Sequence, residues 1–101
     1  MKTLTSKGLN KMCLFYVNSL SHVTYELDGV EKKADFFKKK ANGNIAEAYV
    51  FFDENYKGTI GNIKCFDKEG DIVAMDSNIY LRTNQKALYI AFKHEFKESE
   101  V

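Results

Sequence analysis

The chain has 101 residues and a mass of 11.6 kDa. That allows a single globular domain over residues 1–101, hiding roughly 65% of the surface its extended chain exposes. Hydrophobic residues make up 45% and charged residues 29%, and eight Phe with six Tyr exclude wholesale disorder. Fifteen basic against fourteen acidic side chains leave a formal charge of +1, which excludes nucleic acid or an anionic membrane as the default partner.

The charge is unevenly placed. Residues 1–44 carry eight lysines against Glu26, Asp28, Glu31 and Asp35, whereas residues 45–101 carry ten acids against six lysines and Arg82. A bipolar chain of this kind either mixes its charge over one surface or pairs head to tail with itself, so a homodimer is among the partners the sequence admits. Arg82 is the only arginine beside fourteen lysines, which disfavours base-specific DNA recognition by bidentate guanidinium contacts. The excess of Lys, Asn, Ile, Phe and Tyr, with no proline, fits an AT-rich genome such as those of low-GC bacteria, their phages and mobile elements.

From the N-terminus, Leu9, Met12, Cys13, Tyr16, Val17 and Leu20 follow helical spacing, and Thr5 or Ser6 supplies a cap. Leu14 and Phe15 fall outside that stripe, and Met12–Val17 also fits a buried strand. The same run is shorter than a signal-peptide core or a membrane span, so no membrane partner is expected. Val23–Leu27 reads as a strand. A second helix is expected over residues 29–41: Asp28 and Glu31 have capping-box spacing, Lys38–Lys40 complement the helix dipole, and Asn42-Gly43 provides a left-handed stop. The competing reading, a hairpin turning at Asp28-Gly29, puts lysines on both faces of its second strand.

The rest reads as antiparallel sheet. Ala46, Ala48, Val50 and Phe52 alternate with Glu47, Tyr49 and Phe51. Turn signals follow at Asp53-Glu54-Asn55 and at Asp67–Gly70. Lys57–Phe66 lies between them as a strand whose Gly58 and Gly61 mark a bulge or a close backbone approach. Ile72–Met75 and Ile79–Leu81 continue the meander. Ala87–Phe96 sets Leu88, Ile90, Phe92 and Phe96 against Tyr89, Ala91, Lys93 and Glu95. The expected fold is a single small α+β domain, an antiparallel sheet of four to five strands with a C-terminal meander and one or two helices on one face. Tyr49, Phe51 and Tyr89 then fall on the second sheet face, where large rings point to a partner or a dimer mate.

The inventory for catalysis is thin, and no enzyme, cofactor or metal is expected. His94 lies on an apolar strand face and reads as a core residue, and His22 as a surface one. A pairing of His94 with Cys65 has no support in the spacing. Cys13 and Cys65 have no metal-ligand or CxxC spacing, so reduced thiols and a cytoplasmic location are expected. Asp67, Glu69 and Asp71 read as a solvated turn without the twelve-residue calcium pattern. The acidic stretch Glu95–Glu100 is expected to fray.

One constellation remains. On a helix over residues 29–41, Phe36 is framed by Lys32, Lys33, Lys39 and Lys40, with Lys7, Lys11 and Lys38 able to enlarge the patch. Such a ring stacks a base or anchors on an acidic protein surface; alternatively Phe36 joins the core. Two functions follow. The first is a non-enzymatic protein-binding module, an accessory or inhibitory protein of phage or mobile-element type that occupies a partner's surface. The second is sequence-independent binding of single-stranded nucleic acid. The residues expected to carry either are Lys32, Lys33, Phe36, Lys39, Lys40, Tyr49, Phe51 and Tyr89.

Overall fold

The computed structural model describes residues 4–53, 56–82 and 87–97. The described elements are α1 (Ser6–Ser19), β1 (Leu20–Leu27), β2 (Val30–Ala34), β3 (Lys38–Asn42), β4 (Ile45–Phe52), β5 (Gly58–Asp67), β6 (Ile72–Asp76), β7 (Tyr80–Arg82) and β8 (Leu88–Glu95). Every pairing is antiparallel. Strands β2-β1-β5-β6 form one sheet, with β7 joined to β5 as its fifth strand, and β3-β4-β8 form a second. The small α+β domain with antiparallel sheet is the class expected from the sequence. Residues 54, 55 and 98–100, where part of one turn and the end of the acidic stretch were placed, lie outside the described residues.

The first helix begins where the capping rule puts it: the Thr5 side chain accepts a hydrogen bond from the Gly8 amide at 3.0 Å. Cys13 and Val17 are buried against Ala46 of β4, with Tyr16, Ala41 and Phe96 around them. Leu14 and Phe15 are exposed, as their places outside the stripe require, but Met12 within it is exposed too, so the buried stripe is narrower than the spacing implied.

The second helix does not exist. Residues 30–34 and 38–42 are strands, and Asp28-Gly29 is a hairpin turn with φ of 51° and 83°, both left-handed as a type I′ turn requires. Lysines on both faces of β2 are tolerated because β2 is an edge strand with almost no buried face. The Asn42-Gly43 stop is also a hairpin. Asn42 pairs with Ile45 across Gly43-Asn44, and Gly43 takes φ 62° there. Asp35, Phe36 and Phe37 carry the chain from the first sheet to the second.

The core lies between the sheets. Val23 and Tyr25 of β1 and Ile60, Ile63 and Cys65 of β5 meet Ala48, Val50 and Phe52 of β4 and Ile90 and Phe92 of β8. Phe52 sits edge-on to Tyr25 at 4.9 Å and to Tyr56 at 5.4 Å. The sheet face is therefore covered mainly by a second sheet, whereas helices were expected there; α1 covers one end of the inner face of β3 and β4. Arg82 fastens the layers together. It is buried on β7, donating from Nη1 to the Phe52 carbonyl at 3.2 Å and from Nη2 to the Asp53 carbonyl at 3.1 Å.

Both glycine signals in β5 have a physical cause. The ladder with β1 slips just after Gly61, which still pairs with Glu26: the extra residue falls between Gly61 and Lys64, where Asn62 takes φ 47°. Gly58, at φ 121°, lies so close to Asp28 that a Cβ would stand 2.5 Å from Oδ2. That carboxylate is itself fixed, since Oδ1 accepts the Thr59 amide at 2.8 Å. Gly58→Ala is expected to lower stability by about 1–3 kcal/mol through strain and displacement of Asp28. Phe52→Ala should lower it by about 3–5 kcal/mol by opening a cavity between the sheets. Urea midpoints of the two variants against wild type check both.

Candidate functional site

The outer face of the β3-β4-β8 sheet gathers most of the unpartnered aromatic surface. Strict alternation along β4 turns Ala46, Ala48, Val50 and Phe52 inward and Glu47, Tyr49 and Phe51 outward. The register then sets Phe51 opposite Tyr89, Tyr49 between Lys38 and Ala91, and Glu47 between Lys40 and Lys93. Phe37 joins from the crossover, its amide donating to the Tyr49 carbonyl at 2.8 Å. The three rings touch one another: Phe51–Tyr89 at 4.6 Å, Phe37–Phe51 at 5.3 Å and Phe37–Tyr89 at 5.8 Å between centroids. Phe37 is 59% and Tyr89 57% exposed, and no described element lies over them.

Beside the rings is a compact polar group. The Tyr49 hydroxyl donates to Glu47 Oε1 at 2.6 Å, and Lys40 and Lys93 approach the same carboxylate at 3.5 and 3.6 Å. The Tyr49 hydroxyl holds Glu47 below the usual carboxylate range; burial works against this, and the two ammonium groups add to it. In return, the Glu47 carboxylate raises the Tyr49 hydroxyl. The face thus ends in a lysine-flanked patch, two ammonium groups about one carboxylate and so net positive, next to an apolar one.

The residues singled out from the sequence are only partly brought together. Tyr49, Phe51 and Tyr89 share this face. Phe36 does not: it is half-buried at the edge of the inter-sheet core, with Lys39 Nζ 6.0 Å from its ring centroid. That ammonium donates to the Leu20 carbonyl at 3.1 Å, so Lys39 braces the crossover. Lys32 and Lys33 lie on the edge strand β2, and Lys32 lines a separate hollow with Tyr25, Leu27, Asp53 and Tyr56. The four-lysine frame around Phe36 was a property of the absent helix. Phe37, Lys93 and Glu47 were missed, and Lys38, expected only as an extension of the Phe36 patch, stands opposite Tyr49 instead. Reading residues 38–42 as an edge strand paired with residues 45–49 would have found the lysines.

The groups with chemical potential are held apart. His94 is exposed and meets the edge of the Tyr16 ring at 5.9 Å, contrary to the core position expected for it. Among the described residues no hydrogen bond joins it to Cys65. His22 stacks on Phe66 at 5.0 Å, and its Nδ1 lies 3.0 Å from Ser21 Oγ. No described carboxylate holds the other ring nitrogen, as an activated hydroxyl would need. Burial pushes the Cys65 thiol up to about 12 and raises that of Cys13. Asp67, Glu69 and Asp71 cluster at the β5–β6 turn, where Asp67 Oδ1 already accepts the Glu69 and Asp71 amides.

No protein-family model, curated protein or solved structure matches the chain. Among the described residues no helix is long and apolar enough to cross a membrane. The site is therefore read from its own geometry.

Two outcomes follow from these environments. Glu47 has a folded-state pKa below its unfolded one, so its contribution to stability is complete at neutral pH and is lost as pH falls through the folded value. Between neutral pH and about pH 3, wild type should therefore lose more of its urea midpoint than Glu47→Gln does. Neither cysteine should react with a thiol reagent at about pH 8 in the native state, and both should react after unfolding. Mass spectrometry of the labelled chain reads this directly.

Proposed function

We propose that the chain is a non-enzymatic protein-binding module, an accessory or inhibitory protein that acts by covering a partner's surface with the outer face of β3-β4-β8. The observation that carries this reading is the cluster of exposed Phe37 and Tyr89 around the half-buried Phe51, on a sheet whose inner face is fixed in the core. Rings already packed against one another need little ordering on binding, and aromatic anchors inside a charged rim are where interface energy concentrates. Lys38, Lys40 and Lys93 form that rim, with the Glu47 carboxylate between Lys40 and Lys93. The partner surface that fits is apolar at its centre and acidic at its border. A cytoplasmic host target opposed by a phage or mobile-element product fits the composition.

Binding of single-stranded nucleic acid is the second reading, and the rings of this face, not Phe36, would have to carry it. Rings on a sheet between lysines are a stacking platform. It ranks below the first reading because the ring planes are inclined to one another by 37° to 69°, which gives successive bases no common stacking direction.

The test is affinity capture with the whole chain as bait, followed by titration of the captured protein against wild type, Phe51→Ala and Tyr89→Ala. Each substitution should weaken binding by about 2 kcal/mol, roughly 30-fold, with the thermal midpoint of Tyr89→Ala unchanged. Equal affinity for all three chains would remove this face as the binding surface. Tight binding of a labelled oligonucleotide that falls steeply with salt would promote the second reading.

A further inference from the structure

β8 has one edge on β4, and none of the described residues pairs with the other. The direction of its backbone groups follows from a single bond. The Phe96 amide donates to the Asn44 carbonyl at 2.7 Å, one step beyond the Ile45–Glu95 pair. Bonded and non-bonded pairs alternate in an antiparallel ladder. Ile90, Phe92 and His94 therefore spend their N–H and C=O groups on β4, while Tyr89, Ala91 and Lys93 turn theirs to the open edge. That edge borders a cleft of about 540 Å³ whose opposite wall is Met75–Asn78 and Tyr80. Asp76 stiffens the wall by accepting the Asn78 amide at 2.9 Å and the Tyr80 hydroxyl at 2.6 Å.

The remaining edges are defended against pairing. β3 carries Lys38, Lys39 and Lys40, and β2 carries Glu31, Lys32 and Lys33. β6 is short with a register slip, and β7 has three residues. Charged edge residues, bulges and shortness are the usual guards. β8 has none of these over Leu88–Phe92: it is eight residues long, and its register with β4 runs without a break.

We propose that the open edge of β8 pairs antiparallel with β8 of a second copy, about a two-fold axis at Ala91, joining two three-stranded sheets into one of six strands. The strand is self-complementary in that register. Ala91 faces Ala91, so the backbones meet without a bulky pair at the axis. On the inner side Ile90 faces Phe92. On the outer side Tyr89 faces Lys93, an ammonium against a phenol ring. Shifting the axis two residues toward the C-terminus would set Lys93 against Lys93. The pairing uses the strand's edge, where the protein-binding reading uses its face, so each stands without the other. The axis keeps both outer faces on one side, so a dimer presents two ring clusters together.

The test is the mass of the whole chain in solution by light scattering across a concentration series. Wild type should reach twice 11.6 kDa. Ala91→Pro removes an amide that points to the open edge, and Ala91→Lys places like charges across the axis; each should remain at 11.6 kDa with an unchanged circular dichroism spectrum. Ala91→Lys keeps the test decisive if the proline variant fails to fold, because its side chain lies on the exposed outer face. Ala91→Asp should also be monomeric, and mixing it with Ala91→Lys should restore the doubled mass. A wild-type chain that stays monomeric up to about 1 mM would overturn the pairing. So would a dimer that persists in both Ala91→Pro and Ala91→Lys, or a mixture of the Lys and Asp variants that stays monomeric.

Discussion

Burial of alternate side chains from β1, β4, β5 and β8 between two sheets is the constraint on which the rest of the structure depends. In a chain of 101 residues the inter-sheet core is the main one, with only the small cluster of Cys13, Val17 and Ala46 beside it, so the strands that face one another must give their inner positions to apolar contact. The register on β4 then fixes the outer positions too, because a strand has only two sides. Glu47, Tyr49 and Phe51 are outward because Ala48, Val50 and Phe52 are inward. The candidate site is the reverse side of the core.

The same constraint explains the position of the sole arginine. Arg82 is buried where β7 approaches the end of β4, and its guanidinium satisfies the Phe52 and Asp53 carbonyls as the chain leaves the second sheet. A lysine has one compact head and could not reach both in a planar fork. The residue whose rarity weighed against DNA recognition thus serves to join the layers. Lys39 does related work at the other crossover, bonding the Leu20 carbonyl and lying near the Phe36 ring. Part of the lysine-rich segment is therefore structural bracing, and the cations left for recognition sit on the outer face beside the rings.

The stretch from Asp28 to Asn44 shows where local sequence signals are degenerate. An acid before a glycine caps a helix start or forms a type I′ turn, and Asn-Gly ends a helix or turns a hairpin. Both need a residue that accepts the left-handed region, and that need is all the sequence displays. A thirteen-residue helix is marginal by itself. Here β1 and β4 offer backbone partners to residues 30–34 and 38–42, and pairing prevails. The rule that lysines on both faces argue against a strand holds for strands with a buried side, and β2 and β3 are edges. Phe36 and Phe37 could not be assigned for the same reason: the crossover sends one ring to the core and its neighbour to the outer face.

What the sequence determined by itself was the α+β class, the capped first helix, the inward and outward sets of β4 and the hydrophobic face of β8 through Phe92. The bulge and close approach around Gly61 and Gly58 were also legible in it. Each is a local property, set by alternation, by capping or by glycine's access to positive φ. Tertiary structure alone decided that the chain folds into two sheets, that residues 30–42 extend, and that Phe37 and three lysines gather around Phe51 and Tyr89. Those outcomes depend on which strands find each other across long stretches of chain, and pairing partners leave no local mark on either segment.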